Sequence, residues 1–191
     1  MLFCIVLSLT FHYLYLMKLL HPLSGVALRK IQIEDRERLA HLANNPNVAN
    51  NLLDDFPHPY SIEDADQFIK HAQAASPTLR FCIEKDGEYV GNIGLHPKED
   101  VYKRSAEIGY FIGEEHWGQG IATHAVQLIV AYGFEQLDIH RIYAGVFSYN
   151  SASKKVLEKA GFDFEGASKE AIYKNGQLYD ELRFAILNPN H

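Results

Sequence analysis

Two glycines two residues apart, Gly118 and Gly120, form the segment of this 191-residue chain whose chemistry is easiest to interpret. They follow a strand-like run that ends at Ile112 and precede a long apolar helical pattern that begins at Ala122. Glycines between a strand and a helix expose several backbone N–H groups, let a ligand approach closely, and lie at the positive end of the helix dipole. The segment therefore predicts an anion site, and a pyrophosphate fits it best. A Gly-x-Gly pair is also typical of a plain turn, so the rest of the chain has to decide.

A second segment with candidate functional residues runs from Asn150 to Phe162. Its pattern is that of a capped helix, because Asn150 or Ser151 supplies an N-cap and Gly161 ends the helix. This structural interpretation does not require the further hydroxyl of Ser153, which lies in the first turn and faces the region beyond the preceding strand. We therefore take Asn150 and Ser153 as candidate ligand contacts, with an ordinary first-turn hydroxyl as the alternative for Ser153.

The composition argues against several classes of protein. The formal net charge is −6 and no run of Lys or Arg exceeds two residues, so neither nucleic acid nor an anionic membrane is an expected partner. The two cysteines, Cys4 and Cys82, give no disulfide framework and indicate a reducing compartment, which predicts a cytoplasmic protein. The ten histidines, including His116 and His124 beside the glycine pair, form no metal-binding pattern, so no metal is predicted.

Residues 1–25 form an apolar N-terminal extension with three open interpretations. A membrane anchor needs about 20 apolar residues, and His12 would lie near the centre of such a span. A secretory signal needs a basic start, which this segment lacks. We favour the third interpretation, in which Met17 is the true start and residues 1–16 are translated upstream sequence. A membrane is therefore an unexpected partner unless residues 1–20 are a real anchor.

The rest of the chain, residues 26–188, is predicted to be one domain of the mixed α/β class. Periodicity and turn signals give the order β-α-α-β-β-β-α-β-α-β-β, which is one mixed sheet of about seven strands with about four helices on its faces. The strands on either side of the glycine pair and its helix are expected to be parallel neighbours or near-neighbours, and ligands bind beyond the carboxyl ends of such strands. The predicted strands are 26–31, 78–84, 89–95, 104–112, 141–147, 162–173 and 177–187, and the predicted helices are 34–43, 61–75, 122–136 and 151–160.

Linked motifs give the chain a family resemblance, and the residues that carry it are 106–112, 117–123, 150–162 and 173–180. With these motifs the chain resembles the GNAT superfamily of N-acetyltransferases, in particular its ribosomal-protein alanine N-acetyltransferase-like branch. The resemblance implies the GNAT fold, whose central twisted sheet is mixed but mostly antiparallel. One position departs from the family's pyrophosphate pattern, which starts with Gln or Arg where this chain has Glu115. That departure puts one side-chain contact in doubt, but not the backbone contacts.

The resemblance also implies acetyl-CoA as the cosubstrate and gives the motifs their roles. The pyrophosphate would lie on the N–H groups of Gly118 to Thr123, and the pantetheine arm would run alongside the strand at Phe111 and Ile112. Asn150 would hydrogen-bond the arm or the acetyl region. The cofactor-binding residues expected on this basis are Phe111, Ile112, Trp117, Gly118, Gln119, Gly120, Ile121, Ala122, Thr123, Asn150 and Ser153.

Acetyl transfer to an amine requires a proton acceptor and a donor to the leaving thiolate. Glu107, on the strand before the glycine pair, is the candidate base, and Ser153 is the candidate donor. At pH 7 a lysine amine is neutral in only about one part in 10³, whereas an α-amine with a pKa near ~8 is about a tenth neutral, so a carboxylate acting through water suits an α-amine better. The alternative for Glu107 is an ordinary surface carboxylate.

We therefore expect an enzyme that moves the acetyl group of acetyl-CoA directly to a primary amine, either a protein N-terminal α-amine or a small molecule, as a monomer or a homodimer. The alternative from another class is a non-catalytic CoA-binding sensor or interaction module with the same fold. A Rossmann-type nucleotide loop is disfavoured because the glycine pair comes late in the chain and the first strand lacks G-x-G-x-x-G.

Overall fold

The computed structural model describes residues 18–22 and 24–190. The three interpretations of the start of the chain therefore concern residues that lie outside the described part. The strands are β1 (Lys18–Leu20), β2 (Val26–Lys30), β3 (Arg80–Lys85), β4 (Glu88–Pro97), β5 (Ser105–Ile112), β6 (Arg141–Phe147), β7 (Asp163–Lys174) and β8 (Gln177–Leu187). The α-helices are α1 (Arg36–Ala43), α2 (Pro46–Ala49), α3 (Ile62–Ala74), α4 (Ile121–Gln136) and α5 (Ser151–Lys159).

The strands form one open sheet in the order β1-β2-β3-β4-β5-β6-β8-β7. Only the pairing of β5 with β6 is parallel among the pairings in the described chain. The predicted mixed, mostly antiparallel architecture is thus confirmed, and so is the parallel unit around the glycine pair. The described residues hold eight strands and five α-helices, one more of each than the sequence predicts.

The two additional elements are too short to leave a periodic signal. β1 has three residues, lies within the predicted N-terminal extension, and pairs with β2 at the edge of the sheet. α2 is a single turn that begins at Pro46, and its cap is Asn45, whose side chain accepts a hydrogen bond from the Asn47 N–H at 2.8 Å. Alternation and helical periodicity need longer segments than these.

The sheet separates two apolar clusters. α4 and α5 pack on one face, and α1 and α3 pack on the other. Successive side chains of a strand point to opposite faces, so β5 contributes to both clusters. Ile108 and Ile112 belong to the α4–α5 cluster, whereas Phe111 packs against the α1–α3 cluster. Residues of β5 that are adjacent in sequence therefore act on opposite sides of the sheet.

Two local signals in the sequence predict boundaries of these elements, an N-cap at Ser61 with Asp64 three residues later and a hairpin turn at Asn175-Gly176, and both are confirmed. The Ser61 hydroxyl oxygen accepts from the Asp64 N–H and caps α3, and the Asp64 carboxylate accepts from the Ser61 N–H, which completes the capping box. The β7–β8 hairpin turns at Asn175 and Gly176, which both have positive φ, at 51° and 79°. Within the described chain, no helix is both long enough and apolar enough to span a bilayer.

Candidate active site

The parallel pairing between β5 and β6 ends early. The two strands are in register over three residue pairs, the last of which joins Glu107 to Tyr143. β5 nevertheless stays paired with β4 as far as Ile112, and β6 stays paired with β8 as far as Phe147. Beyond Glu107, the edge of β5 that faces β6 therefore has no strand partner in the described chain. The backbone groups on this edge can pair with an extended ligand, except for the Ile112 carbonyl, which accepts a hydrogen bond from the Trp117 indole.

The glycine turn lies next to the end of β5. Gly118 and Gly120 both have left-handed backbones, with φ of 76° and 75°. A Cβ built on either glycine would meet no atom within 4 Å, so open space lies directly against the backbone. The indole N–H of Trp117, a side chain that is about half exposed, donates to the carbonyl oxygen of Ile112 at 2.7 Å. This bond ties the turn to the strand that it follows.

The first turn of α4 has no side-chain cap, because its N-cap residue is Gly120. The N–H groups of Ile121, Ala122 and Thr123 precede the first intrahelical bond, which the His124 N–H makes to the Gly120 carbonyl at 3.3 Å. Three uncapped N–H groups at the positive end of a 16-residue helix form a binding site for an anion. Together with the open space at the exposed Gly118–Gly120 turn, they fit the pyrophosphate of the acetyl-CoA that the resemblance implies.

Glu115, where the family pattern has Gln or Arg, directs its charge towards α1. Arg38 Nη2 lies 2.5 Å from Glu115 Oε1, 2.6 Å from Glu88 Oε1 and 3.0 Å from His116 Nε2. The hydrogen bond from Arg38 to Glu115 lowers the pKa of the Glu115 carboxyl group. Ligand atoms of Glu88, Glu115 and His116 lie within 4.8 Å of one another, close enough to hold a metal ion. The Arg38 guanidinium already contacts all three, so it supplies the cation of this cluster.

The first turn of α5 places the Ser153 hydroxyl at the gap, next to the hydroxyl of Tyr110. Asn150 is the N-cap, and its Oδ1 accepts a hydrogen bond from the Ser153 N–H at 3.0 Å. Ser153 Oγ lies 2.8 Å from the hydroxyl of Tyr110 on β5, so this contact bridges the gap that opens between β5 and β6. Burial raises the pKa of the Tyr110 phenol to about 12. The sequence suggests only packing for Tyr110, because its partner is 43 residues away.

Glu107 lies on the opposite face of β5 from Tyr110, because the two are three residues apart on one strand. Its carboxylate is 2.6 Å from Lys98 Nζ, and this hydrogen bond raises the pKa of Lys98. Its cross-strand neighbour is His96 on β4, whose pKa is lowered by burial. The structure therefore does not bring Glu107 and Ser153 together on one face. It places a carboxylate on one side of β5 and a hydroxyl on the other.

An aromatic contact lies on the face of β5 that carries Glu107, and an open cleft lies on the same side of the sheet. Phe56, from the Pro-rich loop before α3, packs edge-on against Phe111 with ring centroids 5.9 Å apart. A cleft of about 810 Å³ lies on the side of α1 and α3, and Glu37, Glu114 and Glu115 line it. Glu37 and Glu114 give this cleft a negative electrostatic potential, whereas the charge of Glu115 is paired with Arg38, so the cleft favours a cation over the phosphates of CoA.

Residues 26–163 match the sequence model of a protein family that is described as Acetyltransferase (GNAT) domain. The chain belongs to the GNAT acetyltransferase family. Among its relatives, the probable N-acetyltransferase YjcK of Bacillus subtilis is 41% identical over 71% of this chain and 83% of its own length. The spermidine N(1)-acetyltransferase of Escherichia coli is 32% identical over 85% of this chain and 86% of its own length. The solved structure of Mycobacterium smegmatis RimJ with a CoA disulfide superposes with a TM-score of 0.77, at 27% identity over 92% of this chain and 88% of that one.

These similarities confirm the predicted family, fold and enzyme class. The protein is a GNAT-type acyltransferase, and RimJ agrees with the branch that the motifs indicate. The roles assigned to Glu107, to Ser153 and to the cofactor-binding residues from Phe111 to Asn150 stay predictions. Their positions in the structure now allow each role to be tested by substitution.

Replacing Gly120 by Ala should weaken CoA binding more than it weakens the fold. At a φ of 75°, an Ala costs about 1–2 kcal/mol of unfolding free energy, and its Cβ would fill the open space against the turn. Loss of one hydrogen bond to a charged phosphate predicts a dissociation constant for CoA about tenfold higher, measured by titration calorimetry. The matched control is Gly176→Ala, which has a φ of 79° and equally open surroundings in the β7–β8 turn. It should lose similar stability but no CoA affinity, and equal losses of affinity in the two variants would contradict the assignment.

Proposed function

We propose that this protein transfers the acetyl group of acetyl-CoA directly to a primary amine, either the N-terminal α-amine of a protein or a small-molecule amine. The observation that carries the proposal is the arrangement around the β5–β6 gap. The uncapped N-terminus of α4 lies at the end of β5, and the Ser153–Tyr110 contact crosses the gap itself. Bound acetyl-CoA supplies the acetyl thioester, and the residues of the chain hold it and assist the transfer.

The chain offers a separate group to each part of the cosubstrate. The N–H groups of Gly118 to Thr123 bind the pyrophosphate, and the pantetheine arm lies along the open edge of β5 at Phe111 and Ile112, where the Ile112 carbonyl is already bonded to Trp117. Asn150 uses its Oδ1 for the helix cap, and we assign its amide nitrogen as a hydrogen-bond donor to the arm. The similarity to RimJ, whose structure was solved with a CoA disulfide, supports this arrangement.

Two side chains on opposite faces of β5 assist the transfer. Ser153 donates a hydrogen bond to the leaving thiolate, and a hydroxyl is sufficient because a thiolate with a pKa of ~8–9 is a good leaving group. Glu107 accepts the proton of the amine through water. Since its carboxylate is also bound by Lys98, it is best suited to an amine that is already partly neutral, such as an α-amine.

An amine acceptor is supported by charge and by similarity. The cleft on the side of α1 and α3 is lined by Glu37, Glu114 and the Arg38-paired Glu115, and it favours a cationic substrate over a second anion. Relatives of the chain include N-acetyltransferases, and one of them is named for spermidine, a small polyamine. An acceptor amine approaching from the Glu107 face would meet Gly109, which is exposed and has no side chain to block it.

Titration with acetyl-CoA followed by an amine panel tests the proposal. The panel contains peptides with free N-termini, lysine-containing versions of the same peptides with blocked N-termini, polyamines, and aminoglycosides. Release of the free CoA thiol is monitored for each. We expect saturable acetyl-CoA binding and thiol release with at least one unblocked amine. Saturable binding without thiol release from any member would contradict the proposal and indicate a non-catalytic CoA-binding module. Absence of binding at high micromolar acetyl-CoA would contradict both.

Replacing Glu107 by Gln should impair transfer in a pH-dependent way. At pH 7 the variant lacks the group that draws the proton from the amine, and we expect kcat/KM for the amine to fall about 10²-fold. Above the pKa of the amine, ~8 for an α-amine, the substrate is already neutral and the deficit should shrink. The control is Glu165→Gln, which removes a strand carboxylate paired with Arg141 and should leave the profile unchanged. A Glu107→Gln deficit that is the same at every pH would exclude Glu107 as the base.

A further inference from the structure

Tyr110 has a hydroxyl that packing does not explain. Its ring packs against the α4–α5 apolar cluster, and a phenylalanine would fill that role equally well. A half-buried hydroxyl needs a hydrogen-bond partner, and the partner here is Ser153 Oγ at 2.8 Å. Tyr132 gives a contrast within the same cluster, because its hydroxyl donates to the backbone carbonyl of Thr78 at 2.9 Å. Tyr110 is thus hydrogen-bonded to Ser153, the side chain that we propose as the hydrogen-bond donor to the leaving thiolate.

We propose that Tyr110 is a positioning residue, which holds the Ser153 hydroxyl so that its proton is directed at the sulfur of bound CoA. The inference rests on the site of the proposed function, but it concerns a residue to which neither the motifs nor the similarities give a role. It extends the site from α5 to β5, across the gap in which the pantetheine arm is placed.

The donors and acceptors that the Ser153 and Tyr110 hydroxyl groups can offer determine the direction of the hydrogen bonds between them. A serine hydroxyl has one proton to donate and two lone pairs that accept. In the first turn of a helix, such a hydroxyl can also turn towards nearby backbone groups, which would remove its proton from the ligand. If the Tyr110 O–H donates to Ser153 Oγ, the serine proton stays available for the sulfur. The Tyr110 phenol has a pKa near 12, so it remains protonated and able to donate.

The chain of hydrogen bonds needs no net proton transfer from the protein. As the bond between carbonyl carbon and sulfur breaks, its electron pair stays on the sulfur, and the new C–N bond forms from the amine lone pair. Ser153 and Tyr110 keep their protons and stabilise the thiolate through two hydrogen bonds in series, each of which polarises the next. The proton that the amine loses passes through water to Glu107, and an equivalent proton from solvent later protonates the thiolate, so that the products are the amide and the free CoA thiol. Removing the tyrosine hydroxyl should therefore weaken the serine bond without abolishing it.

A double-mutant cycle with two readouts tests this role. The variants are Tyr110→Phe, Ser153→Ala and the double substitution. The first readout is the pKa of the CoA thiol bound to the protein, followed by the ultraviolet absorbance of the thiolate during a pH titration. We expect Tyr110→Phe to raise this pKa by about 0.5 to 1 and Ser153→Ala to raise it further. The double variant should match Ser153→Ala alone, because Tyr110 acts only through the serine.

The second readout is kcat with the best amine of the panel. We expect a loss of about three- to tenfold for Tyr110→Phe and no further loss when Ser153 is already Ala. KM for acetyl-CoA should change less than about twofold, since positioning of the thiolate donor is not a binding contact. The control is Tyr132→Phe, which also removes a tyrosine hydroxyl bond in the α4–α5 cluster. It should lower thermal stability and leave both readouts unchanged.

The two readouts separate the failure of this inference from the failure of the proposed function. Additive effects of the two substitutions, or a Tyr110→Phe variant with a wild-type thiol pKa, would overturn the role of Tyr110 even in an active enzyme. If the thiol pKa values of the variants follow the expected pattern but the protein acetylates no amine, the role of Tyr110 is supported and the proposed function is overturned. A loss of kcat in Tyr132→Phe equal to that in Tyr110→Phe would assign the effect to packing and contradict the inference.

Discussion

The early end of the parallel pairing between β5 and β6 is the constraint on which the rest of the site depends. Backbone N–H and C=O groups without a partner must be satisfied by water or by a ligand, so the open edge of β5 is a binding surface that the chain does not fill itself. β4 fixes β5 as far as Ile112, and β8 fixes β6 as far as Phe147, so both sides of the gap are held by regular sheet. The glycine turn, Ser153 and Glu107 come from separate segments but are all arranged around this gap.

The charge of the protein makes local dipoles important. A chain with a net charge of −6 has no overall attraction for a cosubstrate that carries several phosphates. In the proposed function the N-terminus of α4 supplies that attraction locally, through N–H groups that no side chain caps. Glu115 would work against it, but Arg38 pairs with that carboxylate and also contacts Glu88 and His116. The departure from the family pattern at Glu115 is thus compensated by a cation from α1.

Local signals predict most of the fold, whereas the contacts that complete the site need the tertiary structure. The cap at Ser61, the hairpin turn at Gly176 and the turn at the glycine pair each depend on residues a few positions apart, so the sequence predicts these local structures correctly. β1 and α2 are too short to show a period. Tyr110 differs in another way, because a tyrosine that only packs and a tyrosine whose hydroxyl has a partner look the same in a strand pattern. The ion pair of Glu107 with Lys98 likewise depends on how β4 and β5 align.

The most direct test of the central claim is an amide chemical-shift titration of the ¹⁵N-labelled protein with CoA. If the gap and the turn bind CoA, the amides of Gly118 to Thr123 and those of Phe111 and Ile112 should shift together with one dissociation constant. The amide of Gly161, which follows the end of α5 opposite to Asn150, should not move. Shifts confined to the cleft around Glu37, with Gly118 to Thr123 unchanged, would contradict the account.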